Sequence, residues 1–199
     1  MPGWRASARL CGGEDPRTGA AALRCGKRKG CDGLVRWIPL IGAQYLGFWA
    51  LGLVFYALQE TPYLLMPLIP LRENPLMEMQ ESSRVWNGCE KLLGSLCVAL
   101  MTFVVHRDAV LFSVEGQREA LFFAAAIAAL LLNLIGWAVY FAGRQTKFVM
   151  LFFLAAMPPL YYVCIGLWRN NLPLAAVGFC FLLVHLLHVR GNLRARRPE

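Results

Sequence analysis

Three apolar runs leave this chain few ways to fold: LFFAAAIAALLLNLIGWAVYFA at 121–142, FVMLFFLAAMPPLYYVCIGLW at 148–168 and LPLAAVGFCFLLVHLLHV at 172–189. None contains Asp, Glu, Lys or Arg. Each comes close to the about 20 residues that carry a helix across a hydrocarbon layer of roughly 30 Å. Runs of that length are too uniformly apolar for a soluble helix, which keeps a polar face. The connections GRQTK and RNN are very short, so these three segments are expected as antiparallel neighbours.

Two further runs are less complete. IPLIGAQYLGFWALGLVFYAL, 38–58, is long enough to cross, with Arg36 and Trp37 at its start and Pro39 suited to a first helical turn. Its Ala43 and Gly47 form a small-x-x-x-small pair. LLGSLCVALMTFVV, 92–105, is short, and extending it brings in Glu90 and Lys91 or His106, Arg107 and Asp108. Between these two, ETPYLLMPLIPLRENP carries prolines at 62, 67, 70 and 75, which argues against a regular helix. Lys and Arg counted on either side favour a four-span path, whereas hydropathy favours five.

The expected fold is therefore all-α, a multi-pass transmembrane helical bundle of about five membrane helices. They lie near 38–58, 86–106, 121–142, 148–168 and 172–189, the second short and open to a re-entrant path. Around this domain, 35–189, stand a disordered basic tail at 1–34 and a basic tail at 190–199. The net charge of +8 sits largely in these tails. That places the N-terminal tail on the cytoplasmic side and the tails against anionic lipid. Only Trp4 accompanies the N-terminal basic cluster, so a base-stacking platform is missing and no nucleic-acid partner is expected.

The run at 148–168 carries Pro158 and Pro159 in its middle. Each lacks an N–H, and in a membrane a neighbouring helix must then satisfy the freed carbonyls. A kink is expected there. Asn133, Trp137, Tyr140 and Arg144 follow at spacings of 4, 3 and 4 and share one helical face. Phe181, His185, His188 and Asn192 repeat that spacing on the last helix. With alternating helix directions the two stripes fall at one depth. Asn133, Trp137, Tyr140, Arg144, His185 and His188 are thus the expected ligand-binding residues, since polar side chains inside spans are candidates by default.

Other chemistry finds little support. His185 and His188 share a face, but a third or fourth metal ligand is not evident, so no metal or cofactor is expected. No C-x-x-C occurs among the seven cysteines. The HRD at 106–108 has no Gly-rich loop or D-F-G beside it and reads as a local charge pair. Glu60, Glu90, Glu115 and Glu119 fall at the margins of the apolar runs, so no catalytic residues are assigned.

LLLNLIGWAVYFAG, 130–143, resembles the third helix of the tryptophan-rich sensory protein (translocator) family in setting an Asn before a Trp and further aromatics. Trp137 stands one place later than in that pattern, the family's second-helix Trp–Tyr pattern is missing, and the prolines fall in a different helix. The resemblance implies five helices and porphyrin or sterol-like ligands. The function expected from the residues is binding of a small hydrophobic molecule or lipid, as a sensor or transporter-like protein. The alternative is an accessory subunit that packs on a larger membrane partner through Ala124, Ala125, Ala128 and the strip of Ala43 and Gly47.

Overall fold

The computed structural model describes residues 34–71, 75–76 and 83–195. The expected disordered tail lies outside the described residues, apart from Leu34, as do 196–199. The described part is mostly helical, with a small sheet at one end.

The chain opens with an antiparallel hairpin, β1 Leu34–Pro39 and β2 Gln44–Trp49. This corrects the expected helix over 38–58. Pro39 ends β1, and Gly42 takes a left-handed φ of 63° that a tight turn requires and other residues resist. The strip of Ala43 and Gly47 therefore belongs to a turn and a strand. A helix follows only from Ala50, and α1, Ala50–Leu65, runs through Pro62. That is a second correction: the proline-rich stretch stays helical to residue 65. A short 3₁₀ turn, Met66–Leu68, closes it at Pro67.

α2, Arg84–Phe103, passes directly into β3, Val104–His106, which pairs with β2 in the register Gln44↔His106 and Leu46↔Val104. The sheet order is β1-β2-β3. α3 covers Gly116–Phe141. A π-helical segment, Val149–Ala156, leads into α4, Met157–Trp168, and α5 spans Leu172–Ala195. α5 thus absorbs most of the expected C-terminal tail. Among the described residues, three helices are long and apolar enough to cross a membrane: Gly116–Phe141, Val149–Trp168 and Leu172–Arg194.

α4 is the middle helix, packed on α3 along one side and on α5 along the other. Small residues set the spacing. A Cβ on Gly136 of α3 would stand 2.2 Å from the Phe153 Cβ, and one on Gly166 of α4 would stand 2.6 Å from the Ala175 nitrogen. Close approach of this kind replaces the hydrophobic drive that lipid-embedded helices lack.

The π segment answers the question posed by the prolines. In a π register the N–H that would reach the Phe153 carbonyl belongs to residue 158. Residue 158 is proline and has none. The Asn133 side-chain amide of α3 donates to that carbonyl instead, at 3.0 Å. A neighbouring helix thus supplies the missing bond.

The end that bears the sheet is held by side chains. Asn171 accepts from the Leu174 N–H at 3.1 Å, and its amide donates to the Leu100 and Val104 carbonyls at 2.9 and 2.8 Å. One residue so caps the start of α5 and ties it to the end of α2. The Trp49 and Trp168 indoles donate to the Leu111 and Ser113 carbonyls. The Arg169 guanidinium lies 4.8 Å from the Trp49 ring and 5.3 Å from the Trp168 ring and donates to the Val110 carbonyl. Burial among these groups pushes Arg169 down to about 10, still protonated at neutral pH. In the HRD segment, Asp108 Oδ1 lies 3.8 Å from Arg107 Nε and Oδ2 3.9 Å from His106 Nδ1.

Candidate functional site

α2 and α5 run antiparallel because Asn171 joins the end of one to the start of the other. Phe103 closes α2 and Leu172 opens α5. Glu90 and His185 lie equally far along the two helices from those residues, roughly 20 Å at about 1.5 Å per residue. They meet at one depth. Glu90 Oε1 lies 3.0 Å from His185 Nδ1, and Oε2 pairs with His188 Nδ1. His188 Nε2 in turn lies 3.2 Å from the Asn192 amide nitrogen. That amide donating to Nε2 leaves the proton of a neutral His188 on Nδ1, facing the carboxylate. His185, His188 and Asn192 stand one and two turns apart on one face of α5, which is why all three reach the same place.

These groups border a recess of about 270 Å³, with Tyr63, Leu76, Met150 and Leu154 on its other walls. Glu90 is the sole Asp, Glu, Lys or Arg among its lining residues. Two imidazoles and an amide balance it, and apolar side chains supply the remaining surface.

Of the expected stripe on α3, none borders this recess directly. Trp137 and Tyr140 are fully buried, 1% and 0% exposed, and stand behind its wall. Trp137 meets the Tyr63 ring edge-on at 4.6 Å, and the Tyr140 hydroxyl accepts from the Leu76 N–H at 3.2 Å. Asn133 is committed to the Phe153 carbonyl. Arg144 lies past the end of α3, exposed, its backbone N–H on the Val139 carbonyl. The π segment and α4 separate α3 from α5, so the two stripes do not face each other across open space. The structure brings together His185 and His188, with Trp137 and Tyr140 as support.

Glu90 is the residue that sequence reasoning passed over, as an acid at the margin of a short run. The signal that finds it is depth, since it lies as far back from the end of α2 as His185 lies forward from the start of α5. Among the described residues, no group of three or more His, Cys, Asp or Glu has the geometry to hold a metal ion. No protein-family model, curated protein or solved structure matches this chain.

Proposed function

We propose that this protein crosses the membrane more than once and binds a small hydrophobic molecule or lipid in the recess at Glu90, His185 and His188. The observation that carries the reading is the carboxylate held between two histidines beside an open, largely apolar space. Carboxylates at that depth are costly and persist where they serve a site. The chemistry of the walls favours an amphipathic ligand. Its apolar body would lie on Met150, Leu154 and Leu76, and a cationic or hydrogen-bond-donating group would meet Glu90. The ordering of Tyr63 by Trp137, and of Leu76 by Tyr140, gives the recess two fixed walls, which lowers the cost of binding.

Native mass spectrometry of the detergent-purified protein tests this. A bound mass at one copy per chain is expected, and it should be lost in Glu90→Gln and in His185→Ala. Equal retention by wild type and both variants would remove the ligand from this recess. A second reading, an accessory subunit, draws on the exposed Ala124 and Ala128 of α3. It predicts a protein partner in the same spectrum and no small bound mass.

A further inference from the structure

A second and larger space lies at the other end of the bundle, beside the sheet. It measures about 740 Å³ and runs between the hairpin turn, the last turn of α2 and the first turn of α5. Leu40, Leu100, Val104, Leu172 and Ala176 give it apolar walls. Its volume falls within the about 300–1,000 Å³ of small-molecule sites.

Arg118 is the one lining side chain with a full charge. It is exposed, stands 6.0 Å from the Phe122 ring, and has no carboxylate within salt-bridge distance among the described residues. The adjacent Glu119 carboxylate turns instead to the Glu115 N–H, from which it accepts at 2.7 Å at the start of the same helix. Arg118 lies in the first turn of α3 and Leu172 opens α5, so the groove sits at the ends of two of the apolar helices. If those helices cross a bilayer, the groove meets it where headgroups lie. A basic residue at that level attracts anionic lipid.

From the apolar walls, the unpaired guanidinium and this position, we infer that the groove holds one anionic phospholipid of the surrounding bilayer. An acyl chain lies along Leu100, Val104, Leu172 and Ala176, and the phosphate pairs with Arg118. His106 and Asn170, which line the same groove, face the rest of the headgroup. The inference needs the membrane placement proposed above but not a ligand at Glu90.

The test is native mass spectrometry of the full chain in detergent. It is titrated with phosphatidylglycerol or with phosphatidylcholine of the same acyl chains. Wild type should retain one phosphatidylglycerol with about fivefold preference, the effect of one basic residue near a membrane surface. Arg118→Gln should abolish the preference and Arg118→Lys should keep most of it. Ala176→Trp, or Leu172→Trp if that variant does not fold, should block retention of both lipids. Glu90→Gln should leave the preference intact, which separates this site from the recess. Equal retention of the two lipids by wild type, or an unchanged preference in Arg118→Gln, would overturn the inference. So would a tighter hold on free oleate than on phosphatidylglycerol, which would assign the groove to a free fatty acid.

Discussion

Asn133 and Pro158 form a pair in which one residue makes good what the other lacks. The pairing predicts a specific non-additivity. Asn133→Ala leaves the part-buried Phe153 carbonyl without a donor, and the general cost of an unpaired buried polar group, about 1–3 kcal/mol, bounds the loss from above. Interhelical side-chain bonds in membranes average nearer about 0.6 kcal/mol, so the lower part of that range is expected. Pro158→Ala returns an N–H to the chain and should make the Asn133 substitution milder. A double-mutant cycle by reversible unfolding in mixed micelles measures this coupling. Strict additivity of the two substitutions would contradict the assignment. At the same scale, Asn192 helps to orient His188, one of the two imidazoles that stand against the Glu90 carboxylate.

At the scale of elements, close helix approach predicts where the bundle will not tolerate bulk. Gly136→Ala drives a Cβ to within 2.2 Å of the Phe153 Cβ. Because π-helical backbone lies against it, α3 must shift outward, and a loss of about 1–3 kcal/mol is expected from overpacking. Thermal unfolding in detergent reads it, and a midpoint equal to wild type would contradict the packing. The long apolar helices were legible from the sequence, since charge-free runs of that length admit few alternatives. The freed carbonyl of the proline pair and its rescue from a neighbouring helix were legible too. The hairpin was not. IPLIGAQYLGFW is as apolar as a span, and only the turn at Gly42 and the pairing with β3 divert it into strands. That pairing partner lies some 60 residues further along the chain, beyond the reach of local pattern. The same holds for the site. His185 and His188 were visible as a spaced pair, but their partner Glu90 lies on a helix that is not adjacent in sequence. Asn133, read as a ligand contact, serves the backbone of the next helix.

At the scale of the whole molecule, the bundle has two distinct ends. The sheet, the Arg118 groove and the Asn171 cap lie at one; the Glu90 recess and the connection at 142–146 lie at the other. Non-helical backbone and open strand edges are not tolerated in hydrocarbon. In the membrane placement proposed above, the hairpin, with Ile41 86% exposed at its tip, lies outside the apolar layer. Single cysteines introduced at Ile41 and at Arg144, in a background without the native thiols, test this arrangement most directly. In sealed vesicles, a membrane-impermeant maleimide should label the two positions from opposite faces. Labelling of both from the same face would mean that α3 does not cross, and would contradict the placement on which the recess and the groove both depend.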